Sequence, residues 1–203
     1  MQTTATQTGI EFHKPSPFLQ NLGRAIARLT GWTINYNLPD DPKMVLVFFP
    51  HTSNFDVLHA IPAAFSIGLK PNWLVKDEIY RGPLKGLMDK LGAIPINRHS
   101  NENKVEQIAA AIREADRVML ALSPEGTRSR TEYWRSGFYH IAKLAQVPIH
   151  FAYIDYPSKT LGAEPGFIPT GDMQADMARI QAFYADKRGK FPENVGPVAF
   201  KSH

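Results

Sequence analysis

The sequence predicts a single α/β domain with a mostly parallel central sheet flanked by helices. Short apolar runs alternate with segments of helical periodicity through most of the chain. The apolar runs are nearly continuous, which is typical of strands buried on both faces. The chain has 203 residues, 43% of them hydrophobic, and this is enough for one domain with a substantial core.

The elements can be assigned in chain order. Predicted strands occupy Met44–Phe49, Trp73–Lys76, Ala93–Ile96, Arg117–Leu122 and Ile149–Ile154. Predicted helices occupy Phe18–Trp32, Phe55–Ile67, Leu84–Leu91, Lys104–Ala115, Tyr133–Gln146 and a last segment from Asp172, its cap, to about Lys187. Gly92 provides a helix stop, and Asn103 with Glu106 resembles a capping box. Strands that alternate with helices in this way indicate a parallel sheet covered on both faces.

The first predicted helix is amphipathic, and its segment is positively charged through Lys14 before the helix and Arg24 and Arg28 within it. Two interpretations stay open: the helix lies on an anionic bilayer, or it packs on its own domain. We therefore expect residues 1–32 to form an amino-terminal tail and amphipathic helix. Residues 33–203 are expected to form one domain, because no linker or repeat interrupts them.

Composition excludes several classes of function. There is no cysteine, so the chain has no disulfide framework and no thiolate nucleophile. The net charge of +4 favours anionic partners, but no zinc-finger spacing or long basic block indicates nucleic acid. No apolar run approaches the roughly 18 residues of a membrane span, and Met1–Ile10 lacks an apolar signal core. We expect a cytoplasmic protein that is either soluble or peripheral on the inner face of the cell membrane.

The most informative pattern is His51 followed five residues later by Asp56, between a predicted buried strand and a predicted helix. Within one helix the two side chains would diverge, so His51 is expected in the preceding loop and Asp56 in the first helical turn. There the carboxylate could orient an imidazole that accepts a proton near neutral pH. The alternative is an ordinary helix start, with Ser53 as the cap and Asp56 as an acid at the helix amino terminus.

A second cluster, Ser123 to Arg130, directly follows a predicted strand. Open α/β sheets bind ligands beyond the carboxyl ends of their strands. Gly126 would allow close backbone approach, Thr127 offers a hydroxyl, and Arg128 offers a planar cation suited to phosphate. Glu125 could order Arg128 or hold an acceptor hydroxyl. The alternative is a solvated charged turn.

Two further segments are candidates for binding. Gly92–Arg98 delivers Arg98 at the end of a short strand, as a second phosphate contact or as a surface arginine. Val147–Ile149 enters a strand and either lines a pocket for an alkyl chain or belongs to the core. The sequence contains neither the nucleophile elbow G-x-S-x-G nor either of the two glycine-rich phosphate loops. It also shows no zinc-ligand spacing, so we expect no metal.

With these segments in this order, the chain resembles the glycerolipid acyltransferase family, whose best-known members are 1-acyl-glycerol-3-phosphate acyltransferases. The resemblance covers about residues 38–200. His51 to Asp56 is similar to the first motif of the family, Gly92–Arg98 to the second, Pro124–Ser129 to the third and most specific, and Val147–Ile149 to the fourth. Pro50–Asp56, Arg81–Pro83 and Trp134–His140 resemble a short, soluble bacterial subgroup.

The resemblance implies a fold like that of glycerol-3-phosphate acyltransferase, together with roles for the matching residues. His51 would act as general base on the acceptor hydroxyl, and Asp56 would orient it. Arg98, Glu125, Gly126 and Arg128 would form the site for the acceptor's phosphate, to which Thr127 adds a hydroxyl. The chain departs from the family at Pro50, where many members have asparagine, and in lacking the common transmembrane anchor.

The resulting hypothesis is transfer of a fatty acyl group from acyl-CoA or acyl carrier protein to a hydroxyl of a lysophospholipid-like acceptor. No cofactor is expected beyond the acyl donor itself. Two alternatives stay open: a non-catalytic binder of anionic lipid or phosphorylated ligands, and a thioesterase-like hydrolase that uses the same base with water.

Overall fold

A computed structural model describes residues 15–76, 80, 85–90, 92–96 and 104–201. The described strands are β1 (Thr33–Tyr36), β2 (Lys43–Phe49), β3 (Trp73–Lys76), β4 (Ala93–Ile96), β5 (Val118–Leu122), β6 (Ile149–Asp155) and β7 (Thr160–Phe167). The described helices are α1 (Pro17–Thr30), α2 (Asn54–Ser66), α3 (Lys85–Lys90), α4 (Lys104–Glu114), α5 (Gly137–Ala145), α6 (Met173–Tyr184) and a 3-10 turn at Pro192–Asn194.

The main sheet has the strand order β1-β7-β6-β2-β5, and every pair in it is parallel except β6 with β7. Strands β3 and β4 form a second, parallel pair. Asn72 links this pair to the main sheet, because its N–H donates to the Met119 carbonyl at 2.7 Å and its carbonyl accepts from the Ala121 N–H at 2.8 Å. The predicted α/β class with a mostly parallel sheet is confirmed.

Strand β2 lies at the centre of the core. Val45, Val47 and Phe49 face a cluster that includes residues of α4, α5 and α6. Met44 and Leu46 face the opposite side, where they pack with residues of β5, β6 and β7. The strand is buried on both faces, which is why its sequence is a continuous apolar run.

Strands β1 and β7 have no counterpart in the sequence-based prediction. β1 is a short edge strand of four residues. β7 contains Gly162, Pro165 and Gly166, residues that disfavour strands in general. Gly166 allows β7 to approach β6 closely, since a Cβ atom there would lie 1.9 Å from the Ile149 carbonyl oxygen, beside a shift in the β6–β7 register.

Three predicted helix boundaries are wrong. The helix predicted from Tyr133 begins at Gly137, because the Trp134 backbone is extended and its N–H donates to the Ala199 carbonyl at 2.7 Å. The first helix ends at Thr30 rather than Trp32, since Gly31 adopts a left-handed conformation (φ 71°) that closes it. The last helix ends at Tyr184 rather than near Lys187.

Helix α1 packs closely against α2. A Cβ atom at Gly23 would lie 2.3 Å from the Pro62 carbonyl oxygen, and Arg24 Nε donates to the Ser66 carbonyl at 3.1 Å. The other side of α1 stays open to solvent, with Phe18 73% and Leu29 87% exposed. The helix therefore packs on the domain and also presents an apolar surface. No helix in the described ranges is long and apolar enough to cross a membrane.

Candidate active site

The sheet brings together the two segments that the sequence marks as chemical. His51 follows β2, and Ser123 to Gly126 follow β5, which is the parallel neighbour of β2. Parallel neighbours end at the same edge of a sheet, so the two loops meet. The Glu125 carboxylate accepts the His51 backbone N–H through Oε2 at 2.9 Å.

The start of α2 fixes the position of Asp56. Ser53 caps the helix, and its hydroxyl accepts the Phe55 N–H at 3.1 Å. Asp56 stands at the third helical position, and its Oδ2 accepts the N–H groups of Ser53 and Thr52, each at 2.8 Å. This capping box turns the carboxylate back toward the loop. The same Oδ2 lies 3.1 Å from Nδ1 of His51. One carboxylate therefore both caps the helix and contacts the imidazole.

A tyrosine that the sequence did not point to completes the surroundings of Asp56. Tyr156 follows β6, the other parallel neighbour of β2, and its hydroxyl donates to Asp56 Oδ1 at 2.7 Å. Its ring packs edge-on against Trp32, with ring centroids 5.1 Å apart. The available signal was positional, because Tyr156 directly follows a buried strand that ends at the same edge as β2.

Asp56 is ionised in this setting. Its side chain is fully buried, and burial by itself raises the pKa of a carboxyl group. Hydrogen bonds from His51, from Tyr156 and from the Ser53 N–H outweigh that effect and hold the Asp56 pKa below its ordinary value of 3.8. Burial, together with the hydrogen bond to Asp56, raises the pKa of Tyr156, which keeps its hydroxyl a donor.

The ionised carboxylate fixes the tautomer of the imidazole. Asp56 can only accept hydrogen bonds, so Nδ1 of His51 carries the proton and Nε2 presents a lone pair. No residue in the described part of the chain hydrogen-bonds Nε2, and the His51 side chain is 16% exposed. The arrangement can accept a proton from a bound hydroxyl and stabilise the imidazolium that results.

Glu125 is buried, with 1% of its surface exposed. Burial, opposed by the His51 N–H and reinforced by the charge of Asp56, raises the Glu125 pKa to about 7. Its second oxygen, Oε1, is buried with no hydrogen-bond partner among the described residues. The bond to His51 gives Glu125 a position beside the histidine loop, and Oε1 can hold a further polar group.

Replacing Glu125 with glutamine is expected to weaken the dependence of stability on pH. The folded pKa of about 7 exceeds the ordinary value of 4.5, so the folded state holds this proton more tightly. The contribution of Glu125 to stability is therefore fully present below pH 4.5 and is lost as the pH rises through 7, by on the order of 3 kcal/mol. Urea unfolding at pH 5 and pH 8 should show a smaller loss for Glu125→Gln than for the wild type. Equal losses of stability in the two proteins would contradict a raised pKa of Glu125.

The remaining predicted binding residues differ in where they lie: some are in the loop after β5, some are in the core, and one is outside the described residues. Gly126 has φ 66°, and Thr127 Oγ1 accepts the Ser129 N–H at 3.3 Å. Arg128 is exposed. Arg98 lies outside the described residues. Val147 and Ile149 belong to the core, and the Pro148 carbonyl accepts the Val45 N–H at 2.9 Å, so this segment supports the sheet.

A cluster of three or more histidine, aspartate or glutamate side chains that could hold a metal ion is not found among the residues described. The expected absence of a metal stays a prediction. The chemistry available at the carboxyl edge of the sheet is that of a histidine–carboxylate pair beside a buried glutamic acid.

An α/β sheet with this pair at its carboxyl edge defines an enzyme-like architecture, and comparison with known proteins gives the family. The sequence matches the family model described as Acyltransferase over residues 33–155, more than half of the chain. The chain therefore belongs to the Acyltransferase family. Tyr156 lies just beyond the matched range.

One solved structure extends the comparison to the fold. The 1-acyl-sn-glycerophosphate (LPA) acyltransferase PlsC from Thermotoga maritima is similar, with a TM-score of 0.56 and 15% sequence identity. The similarity covers 83% of this chain and 74% of that chain. At this identity the likeness concerns the fold. No curated protein gives a significant sequence match.

Proposed function

We propose that this chain transfers a fatty acyl group from acyl-CoA or acyl carrier protein to a hydroxyl of a lysophospholipid-like acceptor, with His51 as the general base. The observation that carries the proposal is the contact of 3.1 Å between His51 Nδ1 and the buried Asp56 carboxylate, with Nε2 left without a partner among the residues that the structure describes. Membership of the Acyltransferase family supports acyl transfer as the reaction type.

In the proposed reaction, Nε2 of His51 takes the proton of the acceptor hydroxyl as its oxygen attacks the thioester carbonyl carbon. Asp56 stabilises the imidazolium that forms. The tetrahedral intermediate then collapses, the carbon–sulfur bond breaks, and the imidazolium returns the proton to the leaving thiolate. The acceptor oxygen is itself the nucleophile, so the route needs no acyl-enzyme intermediate.

The acceptor is proposed to bind beside Glu125. Oε1 of Glu125 is buried and lacks a hydrogen-bond partner in the described part of the protein, and an oxygen of the acceptor would supply one. Gly126, Thr127, Arg128 and Arg98 are proposed to hold the acceptor's phosphate. For Arg98 this rests on the sequence alone.

Release of free thiol from acyl-CoA, measured with and without a lysolipid, tests the proposal. Acceptor-dependent release is the expected result. Release that is equal without acceptor would favour the thioesterase-like hydrolase. Binding of the lysolipid without any release would favour the non-catalytic binder.

The exposed apolar side chains of α1 and α2 support a membrane-facing surface, here called the apolar patch. It comprises Phe18, Leu22 and Leu29 of α1 and Phe55, Leu58 and Ile61 of α2, all at least 37% exposed. Lys190 Nζ lies 3.5 Å from the centre of the Phe55 ring and adds a positive charge beside the patch. We propose that the protein is cytoplasmic and lies on the inner face of the cell membrane through this patch, close to Asp56 at the start of α2.

Replacing Phe18 and Leu29 together with serine is expected to weaken binding to vesicles that contain anionic lipid by about tenfold or more, since each side chain is worth about 1 kcal/mol or more when buried in the bilayer. Sedimentation with vesicles measures the change. Ile168→Ser is the matched control, because Ile168 is 61% exposed outside the patch. Undiminished binding of the double variant would place the membrane contact elsewhere.

A further inference from the structure

The guanidinium group of Arg135 lies directly over the backbone of Gly126. A Cβ atom at position 126 would stand 2.9 Å from Nε of Arg135 and 3.1 Å from its Cζ. The φ of 66° at Gly126 favours glycine, and the space that a side chain would take there is occupied by the guanidinium group of Arg135. Arg135 is exposed, and among the described residues no acceptor hydrogen-bonds its side chain.

The backbone holds Arg135 in place. Its N–H donates to the Pro124 carbonyl at 2.9 Å, which closes the loop that contains Glu125 and Gly126. The preceding residue, Trp134, is 1% exposed, and its ring packs 4.9 Å from that of Phe49, centre to centre. The backbone of Arg135 is therefore already fixed by its surroundings, so ligand binding costs little backbone entropy.

The same loop places Arg135 near the catalytic pair. Gly126, which Arg135 covers, follows Glu125, and Glu125 holds the His51 backbone N–H at 2.9 Å. The other two arginines of the loop differ in their contacts. Arg130 donates to the Val195 carbonyl, whereas Arg128 is exposed two residues beyond Gly126.

We infer that Arg135 binds the phosphate group of the acceptor and so sets the preference for a phosphorylated acceptor. The inference rests on the proposed function and gives a role to a residue outside the four family motifs. A guanidinium group is well suited to phosphate, because its planar donors can form two parallel hydrogen bonds.

The acceptor is the favoured source of that phosphate, rather than the donor. In a glycerol-phosphate acceptor, the attacking hydroxyl and the phosphate are only a few bonds apart. In acyl-CoA, the phosphates are separated from the reacting thioester by the whole pantetheine arm. Arg135 lies against Gly126, which follows the residue that contacts the His51 backbone, Glu125. This position suits the phosphate that is close to the attacking hydroxyl.

Steady-state kinetics with matched substrates test the inference. The acceptors are lysophosphatidic acid and a monoacylglycerol with the same acyl chain, which lacks the phosphate. The donors are acyl-CoA and the corresponding acyl-pantetheine. Arg135→Gln should raise the KM for lysophosphatidic acid about 10- to 100-fold, as expected for loss of a charge-assisted hydrogen bond. The KM values for monoacylglycerol and for both donors should stay unchanged, and Arg135→Lys should restore part of the loss.

Arg130→Gln is the matched control, since it removes one positive charge from the same loop and should leave the acceptor preference unchanged. An Arg135→Gln variant that is active with an unaltered preference would overturn the inference. So would an equal loss with both acceptors, or a rise in KM for acyl-CoA but not for acyl-pantetheine, which would assign the arginine to the donor.

Failure of the proposed function would look different, because the wild type would then show no acceptor-dependent turnover at all. In that case, binding of glycerol 3-phosphate measured by NMR titration decides the role of Arg135. Binding to the wild type that is about tenfold or more weaker in Arg135→Gln would support the inference. Equal binding, or none to the wild type, would overturn it.

Discussion

Replacing His51 with alanine is expected to lower acceptor-dependent turnover by about 10²- to 10⁴-fold, the usual contribution of a general base. The fold should survive, because Asp56 keeps its bonds from the Thr52 and Ser53 N–H groups and from Tyr156. The loss should fall on kcat, since Nε2 of His51 is proposed to act on the proton that moves in the transition state.

The measurement is initial rate against acceptor concentration at saturating acyl-CoA, with circular dichroism to confirm the fold. His140→Ala is the matched control, because His140 is exposed on α5 and should leave kcat unchanged. Wild-type kcat in His51→Ala would rule out His51 as the base. A loss confined to KM would instead make it a binding residue.

Replacing Asp56 with asparagine should also lower kcat, by about 10² to 10⁴, because a neutral amide cannot stabilise the imidazolium as the carboxylate does. Stability should fall by about 1–3 kcal/mol, since charge-assisted bonds become neutral ones in a buried site. The amide oxygen can still accept the N–H groups of Thr52 and Ser53, so the start of α2 should persist.

Tyr156→Phe provides the graded comparison. It removes only the hydroxyl that donates to Asp56 Oδ1 at 2.7 Å and leaves the carboxylate charged. We expect a loss of kcat of about tenfold, smaller than for Asp56→Asn, with KM unchanged. Kinetics and urea unfolding of both variants separate the two effects. An Asp56→Asn enzyme that is as active as the wild type would exclude a role for the carboxylate charge.

The sequence was sufficient where local rules decide the structure. The continuous apolar run of β2 predicted a central buried strand, and the spacing from His51 to Asp56 predicted a loop residue followed by a residue of the first helical turn. The two candidate explanations of Asp56 were not exclusive, because its Oδ2 serves both the helix cap and the imidazole. No local pattern could have shown that one oxygen does both.

The rest depended on contacts between distant parts of the chain. Tyr156 lies 100 residues from Asp56, and the two meet only because β6 and β2 are neighbours in the sheet. The close approach of Arg135 to Gly126 requires the loop after β5 to close on itself, through the bond from the Arg135 N–H to the Pro124 carbonyl. Two roles were open for Glu125, ordering Arg128 or holding an acceptor hydroxyl, and no local pattern indicated the bond that its Oε2 accepts from the His51 N–H.

The most direct test of the central claim counts both products of one reaction. The wild type and His51→Ala are each given acyl-CoA with a labelled acyl chain and lysophosphatidic acid, and the labelled ester and the free thiol are quantified by mass spectrometry. We predict equal amounts of ester and thiol from the wild type, formed only when the acceptor is present, and almost none of either from the variant. Thiol without ester, or as much ester from His51→Ala as from the wild type, would contradict the account.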